Sequence, residues 1–123
     1  MSEYILEMRN ITKTYPGVKA LDDVSLSIKK GEVHAIVGEN GAGKSTFIKV
    51  ITGAITPDSG SIVYKEKQYA HFNPQQAKHL GIGCIYQEFN NFPGLTVAEN
   101  ILTFSEGYQY GRYKINYSRM QKD

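Results

Sequence analysis

The segment Gly38-Glu39-Asn40-Gly41-Ala42-Gly43-Lys44-Ser45 is where this sequence is best equipped to do chemistry, because it satisfies G-x-x-x-x-G-K-[ST], a spacing suited to gripping a chain of phosphates. Glycines let the backbone turn tightly around an anion and point its N–H groups inward, and the positive end of a following helix adds to the attraction. Lys44 would reach the β- and γ-phosphates of a nucleotide. The Ser45 hydroxyl would hold a Mg²⁺ bridging those groups, and Thr46 is placed to donate to the α-phosphate. The bland alternative is a glycine-rich turn before an ordinary helix, with Lys44 solvated. The flanking sequence argues against it: an apolar run precedes the loop and a helical pattern follows, which is the context the motif requires.

Those flanks belong to a longer alternation of strands and helices. Tyr4 to Met8 is strand-like, and Val24-Ser25-Leu26-Ser27-Ile28 alternates apolar with polar at period two, the signature of an antiparallel sheet with one buried face. Tyr15-Pro16-Gly17 and Lys29-Lys30-Gly31-Glu32 mark turns. Val33-His34-Ala35-Ile36-Val37 predicts a strand covered on both faces, feeding the glycine loop. Lys44 to Thr52 predicts a helix with Phe47, Ile48, Val50 and Ile51 on one stripe, ended by Gly53. Pro57-Asp58-Ser59-Gly60 turns into a short strand from Ser61 to Tyr64, and Lys65-Glu66-Lys67 predicts a hairpin reversal. Asn73-Pro74 opens another helix, closed by Gly81, and Ile82-Gly83-Cys84-Ile85-Tyr86 predicts a second buried strand. Thr96 and Glu99 have capping-box spacing for a helix running toward Phe104. After Ser105 no period survives, and residues 105–123 are expected to be weakly ordered.

Composition narrows the class without choosing it. The 123 residues fit one domain at most, are 41% hydrophobic and 21% charged, and carry no internal repeat. With 14 basic against 12 acidic side chains, dispersed along the chain, the net charge of +2 offers no stripe for nucleic acid, and no such partner is expected. The single cysteine, Cys84, excludes an intrachain disulfide and fits a reducing, cytoplasmic setting. The acids near Met1 do not suit a signal peptide. No apolar run approaches the ~20 residues of a membrane span, so membrane association would come through a partner.

The stretch from Gly38 to Thr46 resembles the Walker A segment of ABC-transporter ATPases. The resemblance extends over residues 4 to about 104. It implies an α/β fold, the P-loop NTPase core of an ABC ATPase, incomplete here, with an N-terminal antiparallel β subdomain. Tyr15 matches the aromatic residue that stacks on adenine in this family; without the resemblance it would read as a packed turn tyrosine. Gln87 matches the Q-loop glutamine, which contacts Mg²⁺ and the attacking water and senses the membrane subunit. The nucleotide set is therefore Tyr15, Gly38, Glu39, Asn40, Gly41, Ala42, Gly43, Lys44, Ser45 and Thr46. Ser45 and Gln87 are the metal contacts, and Lys44 and Gln87 the catalytic candidates, with ATP and Mg²⁺ as the implied ligands.

Asn10-Ile11-Thr12-Lys13, Pro16-Gly17-Val18-Lys19-Ala20-Leu21, Gln87-Glu88 and Leu95-Thr96-Val97-Ala98-Glu99-Asn100-Ile101 are similar to the ATPases of bacterial ribose, galactose and xylose importers. Nucleoside importers carry similar segments. Tyr86 stands where that subfamily more often has histidine. Phe89-Asn90-Asn91-Phe92-Pro93-Gly94 is either local packing or part of the groove that receives the permease's coupling helix. The implied partners are a transmembrane permease subunit and a second cassette, and the implied location is peripheral, on the inner face of the bacterial membrane.

The resemblance also sets expectations about what is not in these residues. The sequence contains no Leu-Ser-Gly-Gly-Gln signature and no apolar strand ending in the Walker B aspartate and catalytic glutamate, and His34, His71 and His79 do not fit the switch histidine. Residues 1–104 are expected to be the front of a nucleotide-binding domain and 105–123 the start of its helical part. Such a fragment would bind nucleotide with negligible hydrolysis and would self-associate through uncovered strand edges. A non-catalytic binding module is the competing class. A small P-loop kinase is disfavoured, since it has no use for the Tyr15, Gln87 and Leu95–Asn100 segments.

Overall fold

The fold comes from a computed structural model that describes residues 2–86, 91–102, 109–110 and 114–115. It divides into two compact units, Met1–Cys84 and Ile85–Asp123.

The first unit is organised by a long hairpin of β1 (Tyr4–Tyr15) and β2 (Val18–Lys29). The predicted antiparallel pair is present and runs further than the alternation indicated, because Pro16 and Gly17 close it at the tip, where Tyr15 pairs with Val18. Leu6 and Met8 face the core at the strand period, but the next core residue is Ile11, one position out of phase. The register shifts between Met8 and Ile11. Asn10 at φ 53° and, on β2, Asp23 at φ 52° supply the kink, and the Asn10 amide donates to the Asp23 carboxylate at 2.9 Å. Asn and Asp tolerate this left-handed region better than most residues, so the bulge keeps the apolar face inward at small cost.

After β2 and a turn at Lys30-Gly31 the chain passes the glycine loop into α1 (Lys44–Ile51), then β3 (Ser59–Tyr64), β4 (Lys67–Tyr69) and α2 (Pro74–His79). The four-stranded sheet has the order β2-β1-β3-β4 and is antiparallel throughout. The β3–β4 reversal falls where Lys65-Glu66-Lys67 predicted it. Lys65 and Glu66 both have positive φ, 47° and 68°, the pairing a tight hairpin turn demands. α2 starts on the expected cap, Asn73, whose side-chain oxygen accepts from the Gln76 N–H at 2.8 Å. α1 ends as predicted near Gly53, which takes φ 75° and lies so close to Asn73 that a Cβ would sit 2.5 Å from its carbonyl carbon.

The core lies between one sheet face and the two helices. Leu6, Met8, Ile11, Leu21, Ile62 and Tyr64 meet Phe47 and Val50 of α1 with Phe72 and Ala77 around α2. Phe72 packs edge-on against Tyr69, ring centroids 5.0 Å apart, and the Tyr64 hydroxyl donates to the Leu80 carbonyl at 3.0 Å. Of the predicted α1 stripe, Phe47 and Val50 are buried, Ile51 is half-buried and Ile48 is exposed.

The two predicted buried strands are corrected. Val33–Val37 forms no ladder, and residues 31–40 are exposed throughout, with Val33 at 99% and Val37 at 91%. Ile82–Tyr86 likewise forms no strand, and Ile85 is 97% exposed. A strand covered on both faces needs a hydrogen-bonded neighbour on at least one edge and a layer over each face. Among the described residues neither run has such a neighbour.

In the second unit, α3 (Val97–Leu102) begins on the predicted capping box: the Thr96 N–H donates to the Glu99 carboxylate at 2.7 Å and the Glu99 N–H to the Thr96 hydroxyl at 3.3 Å. The Thr96 N–H first, and then the Thr96 hydroxyl, which donates to the same carboxylate at 2.8 Å, hold the Glu99 carboxyl below its ordinary pKa. Phe104, the expected end of this helix, lies outside the described residues. So does most of 105–123, where β5 (Gln109–Tyr110) pairs with β6 (Lys114–Ile115).

Candidate functional site

The glycine loop is built by contact with β2 and by its own lysine. Gly43, directly before α1, has φ 92°, and a Cβ there would lie 2.4 Å from the Ala20 carbonyl oxygen and 3.1 Å from Leu21. Only glycine permits this approach. No side chain caps α1, so its first N–H groups are left for whatever enters in front of the helix. The Lys44 ammonium folds back over the loop and donates to the carbonyls of Gly38 and, at 2.7 Å, Glu39. The Ala42 N–H donates to the same Glu39 carbonyl at 3.2 Å, so the loop closes on itself around Lys44.

A cleft of about 180 Å³ at the start of α1 is lined by Val18 and Ala20 of β2, by Asn40 and Gly41, and by Gly43 to Thr46. Of the loop residues predicted from sequence, Asn40, Gly41, Gly43, Lys44, Ser45 and Thr46 meet at this cleft beside Val18 and Ala20 of β2, whereas Gly38, Glu39 and Ala42 do not line it. Tyr15 stands at the same end of the molecule, paired with Val18 across the Pro16-Gly17 turn. Tyr15 is 39% exposed as a residue, and the Lys13 ammonium lies over its ring, 5.6 Å from the centroid. Gln87, Phe89 and Asn90 lie outside the described residues.

The donor set suits an anion with its own cation. Among the described residues no group of three or more His, Cys, Asp and Glu side chains could hold a metal. The exposed Ser45 in the cleft could supply one hydroxyl oxygen, so a Mg²⁺ here would take its remaining ligands from phosphate and water, as that hard cation commonly does.

Two residues escaped the reading of the sequence. Asp58 passed for an ordinary turn residue, yet it bonds three consecutive residues near the end of β1: its N–H to the Thr12 carbonyl at 2.8 Å, and its carboxylate to the Lys13 ammonium at 3.2 Å and the Thr14 N–H at 2.6 Å. Asn100 stood only within a family-like run. Its amide accepts from the Phe92 N–H at 2.7 Å and donates to the Thr96 carbonyl at 2.9 Å, tying the Phe92–Thr96 loop to α3. Neither role leaves a sequence signal, because each depends on partners several residues or a whole strand away.

Residues 21–123 match the family described as ABC transporter. The chain belongs to that family. Among curated ABC relatives, the ribose import ATP-binding protein RbsA 2 of Streptomyces coelicolor is 47% identical over 97% of this chain and 23% of its own length. The guanosine import ATP-binding protein NupO of Bacillus subtilis is 44% identical over 89% of this chain and 22% of its own. Of solved structures, the dimeric post-hydrolysis state of the ATP-binding cassette MJ0796 bound to ADP and Pi superposes with a TM-score of 0.71 at 27% identity, covering 95% of this ABC chain and 53% of that one. The chain spans about a quarter or less of the length of the curated relatives it matches. No helix among the described residues is long and apolar enough to cross a membrane.

Proposed function

We propose that this chain supplies the ATP-binding portion of an ABC importer ATPase, with Gly38–Thr46 as the phosphate cradle and Tyr15 as the surface on which adenine stacks. One observation carries the reading: the loop and the uncapped start of α1 share one cleft with Val18 and Ala20 of β2, and Tyr15 is the ladder partner of Val18. ATP would enter with its triphosphate against the loop amides, and Lys44 would leave the Gly38 and Glu39 carbonyls for the β- and γ-phosphates, exchanging neutral acceptors for charged ones. Ser45 would hold Mg²⁺, whose charge offsets that of the phosphates, and Gln87 would act on the metal and the attacking water. In the whole protein, paired cassettes would close on ATP and reopen on hydrolysis, driving a permease at the cytoplasmic face. The 123 residues alone would bind nucleotide with little hydrolysis.

A monosaccharide is the proposed cargo, supported by the ribose-import relative. The guanosine-import relative favours a nucleoside as the second reading. Disrupting the gene and following uptake of labelled ribose and guanosine separates them. The exposed run Val33–Val37 and the exposed Ile85 and Tyr86 further support self-association of this chain; a monodisperse monomer in sedimentation at tens of micromolar would contradict that part.

The site itself is tested by titrating ATP-Mg into wild type, Lys44→Ala and Tyr15→Ala. Wild type binds, Lys44→Ala loses tenfold or more, in line with about 1.5–3 kcal/mol for a charged hydrogen bond, and Tyr15→Ala weakens adenine-containing ligands selectively. Equal affinity in all three, or binding by none, removes the proposal.

A further inference from the structure

We infer that Asp58 is a positioning residue for the nucleotide base: it fixes the last residues of β1 so that Lys13 covers one face of the Tyr15 ring and the other face is offered to adenine. The inference rests on the reading of Tyr15 given above. Its ground is a gap in the sheet. β1 is paired on both sides only as far as Thr12, whose partner on β3 is Ser59, so beyond it Lys13, Thr14 and Tyr15 are paired with β2 alone. Asp58, the residue just before β3, takes over where that ladder ends. Its N–H donates to the Thr12 carbonyl at 2.8 Å, and one carboxylate oxygen accepts from the Thr14 N–H at 2.6 Å as a missing strand partner would. The other oxygen holds the Lys13 ammonium at 3.2 Å, and that ammonium lies 5.6 Å from the Tyr15 ring centroid. One carboxylate therefore fixes both the backbone that carries the ring and the cation above it.

An exposed aromatic ring on a doubly tethered strand end is ordered before its ligand arrives, which lowers the entropy cost of stacking. The cation over the ring adds an electrostatic contact on the face opposite the base. Asp58 reaches none of the loop residues through its hydrogen bonds, so its effect belongs to the base and not to the phosphates.

Calorimetric titration of the full chain with ATP-Mg and with tripolyphosphate-Mg separates these two parts. Asp58→Ala is expected to weaken ATP about fivefold, the scale of ordering one side chain and its strand end, and to leave tripolyphosphate within twofold. In a Tyr15→Ala background the same change adds no further loss. Asp58→Asn, which keeps an oxygen for the Thr14 N–H, recovers part of the ATP affinity. Should Asp58→Ala fail to fold, Lys13→Met carries the test with the same split between ligands. Equal losses for both ligands, a loss that persists without the Tyr15 ring, or unchanged ATP binding where Tyr15→Ala does weaken it, overturns the role of Asp58 alone. If Tyr15→Ala leaves ATP affinity unchanged, the stacking surface falls and this inference falls with it.

Discussion

The β1–β2–β3–β4 sheet and the apolar runs Val33–Val37 and Ile82–Tyr86 are built from similar residue types, yet the first run is exposed throughout and in the second only Ile82 packs against the core. Ile62 on β3 is fully buried, while Val33 and Ile85 are almost wholly exposed. The difference is not hydrophobicity. Each sheet strand follows or precedes an antiparallel partner through a short turn or a single crossover, so its ladder closes within about sixty residues of chain. The two runs have the composition of strands buried in a parallel sheet, and among the described residues they have no ladder partner. An apolar strand-like run is thus not buried by its composition alone; it also needs a paired neighbour to hold it against the core.

Substitution can break that contrast, beginning with the largest effect. Ile62→Ala, at a fully buried core position on β3, is expected to cost about 2–4 kcal/mol in urea unfolding, whereas Val37→Ser at a 91%-exposed site stays within about 0.5 kcal/mol. Equal costs would mean the run is packed after all. Gly43→Ala comes next. A methyl 2.4 Å from the Ala20 carbonyl, on a residue at φ 92°, is expected to cost about 1–3 kcal/mol and to weaken ATP-Mg binding, since the loop must leave β2 to make room. Stability lost without affinity would show that the contact with β2 serves folding only.

Asn73→Ala removes the cap of α2 and is expected to cost about 1 kcal/mol, read as faster amide exchange in Pro74–His79 before the rest of the core opens. The smallest effect is a pH dependence. The Thr14 N–H, and then the Lys13 ammonium, hold the Asp58 carboxyl below its ordinary value of 3.8. The unfolded chain therefore binds a proton first as pH falls, so the stability Asp58 contributes is whole above that value and disappears as pH drops through the lower folded one. The difference in urea midpoint between wild type and Asp58→Asn should accordingly be present near neutral pH and vanish in strong acid. A difference that grows in acid would reverse the sign.

Much of the site was legible in the sequence because a P-loop concentrates its information in adjacent residues. Gly43, Lys44, Ser45 and Thr46 were named from one motif, and the structure brings them to one cleft with Val18 and Ala20. Caps and turns at Asn73, Thr96 and Lys65-Glu66 were legible for the same reason: donor, acceptor and φ requirement lie within a few residues. The bulge at Asn10 was not. Only the phase slip from Met8 to Ile11 betrays it, and that slip has meaning only once Asp23 is known to lie opposite. Asp58 was hidden more deeply, since its partners at Thr12, Lys13 and Thr14 are reached through the sheet. The misread runs mark the opposite limit. Their composition was read correctly, but composition does not supply a neighbouring strand.

The central claim, that Gly38–Thr46 and the tip of the β1–β2 hairpin receive a nucleotide, is tested most directly by amide chemical shifts recorded while ATP-Mg is added. The largest changes are predicted at Gly38 to Thr46, with a separate set at Tyr15 and Val18 that tripolyphosphate-Mg does not reproduce. Saturable ATP binding that leaves Gly38 to Thr46 unshifted would contradict the account.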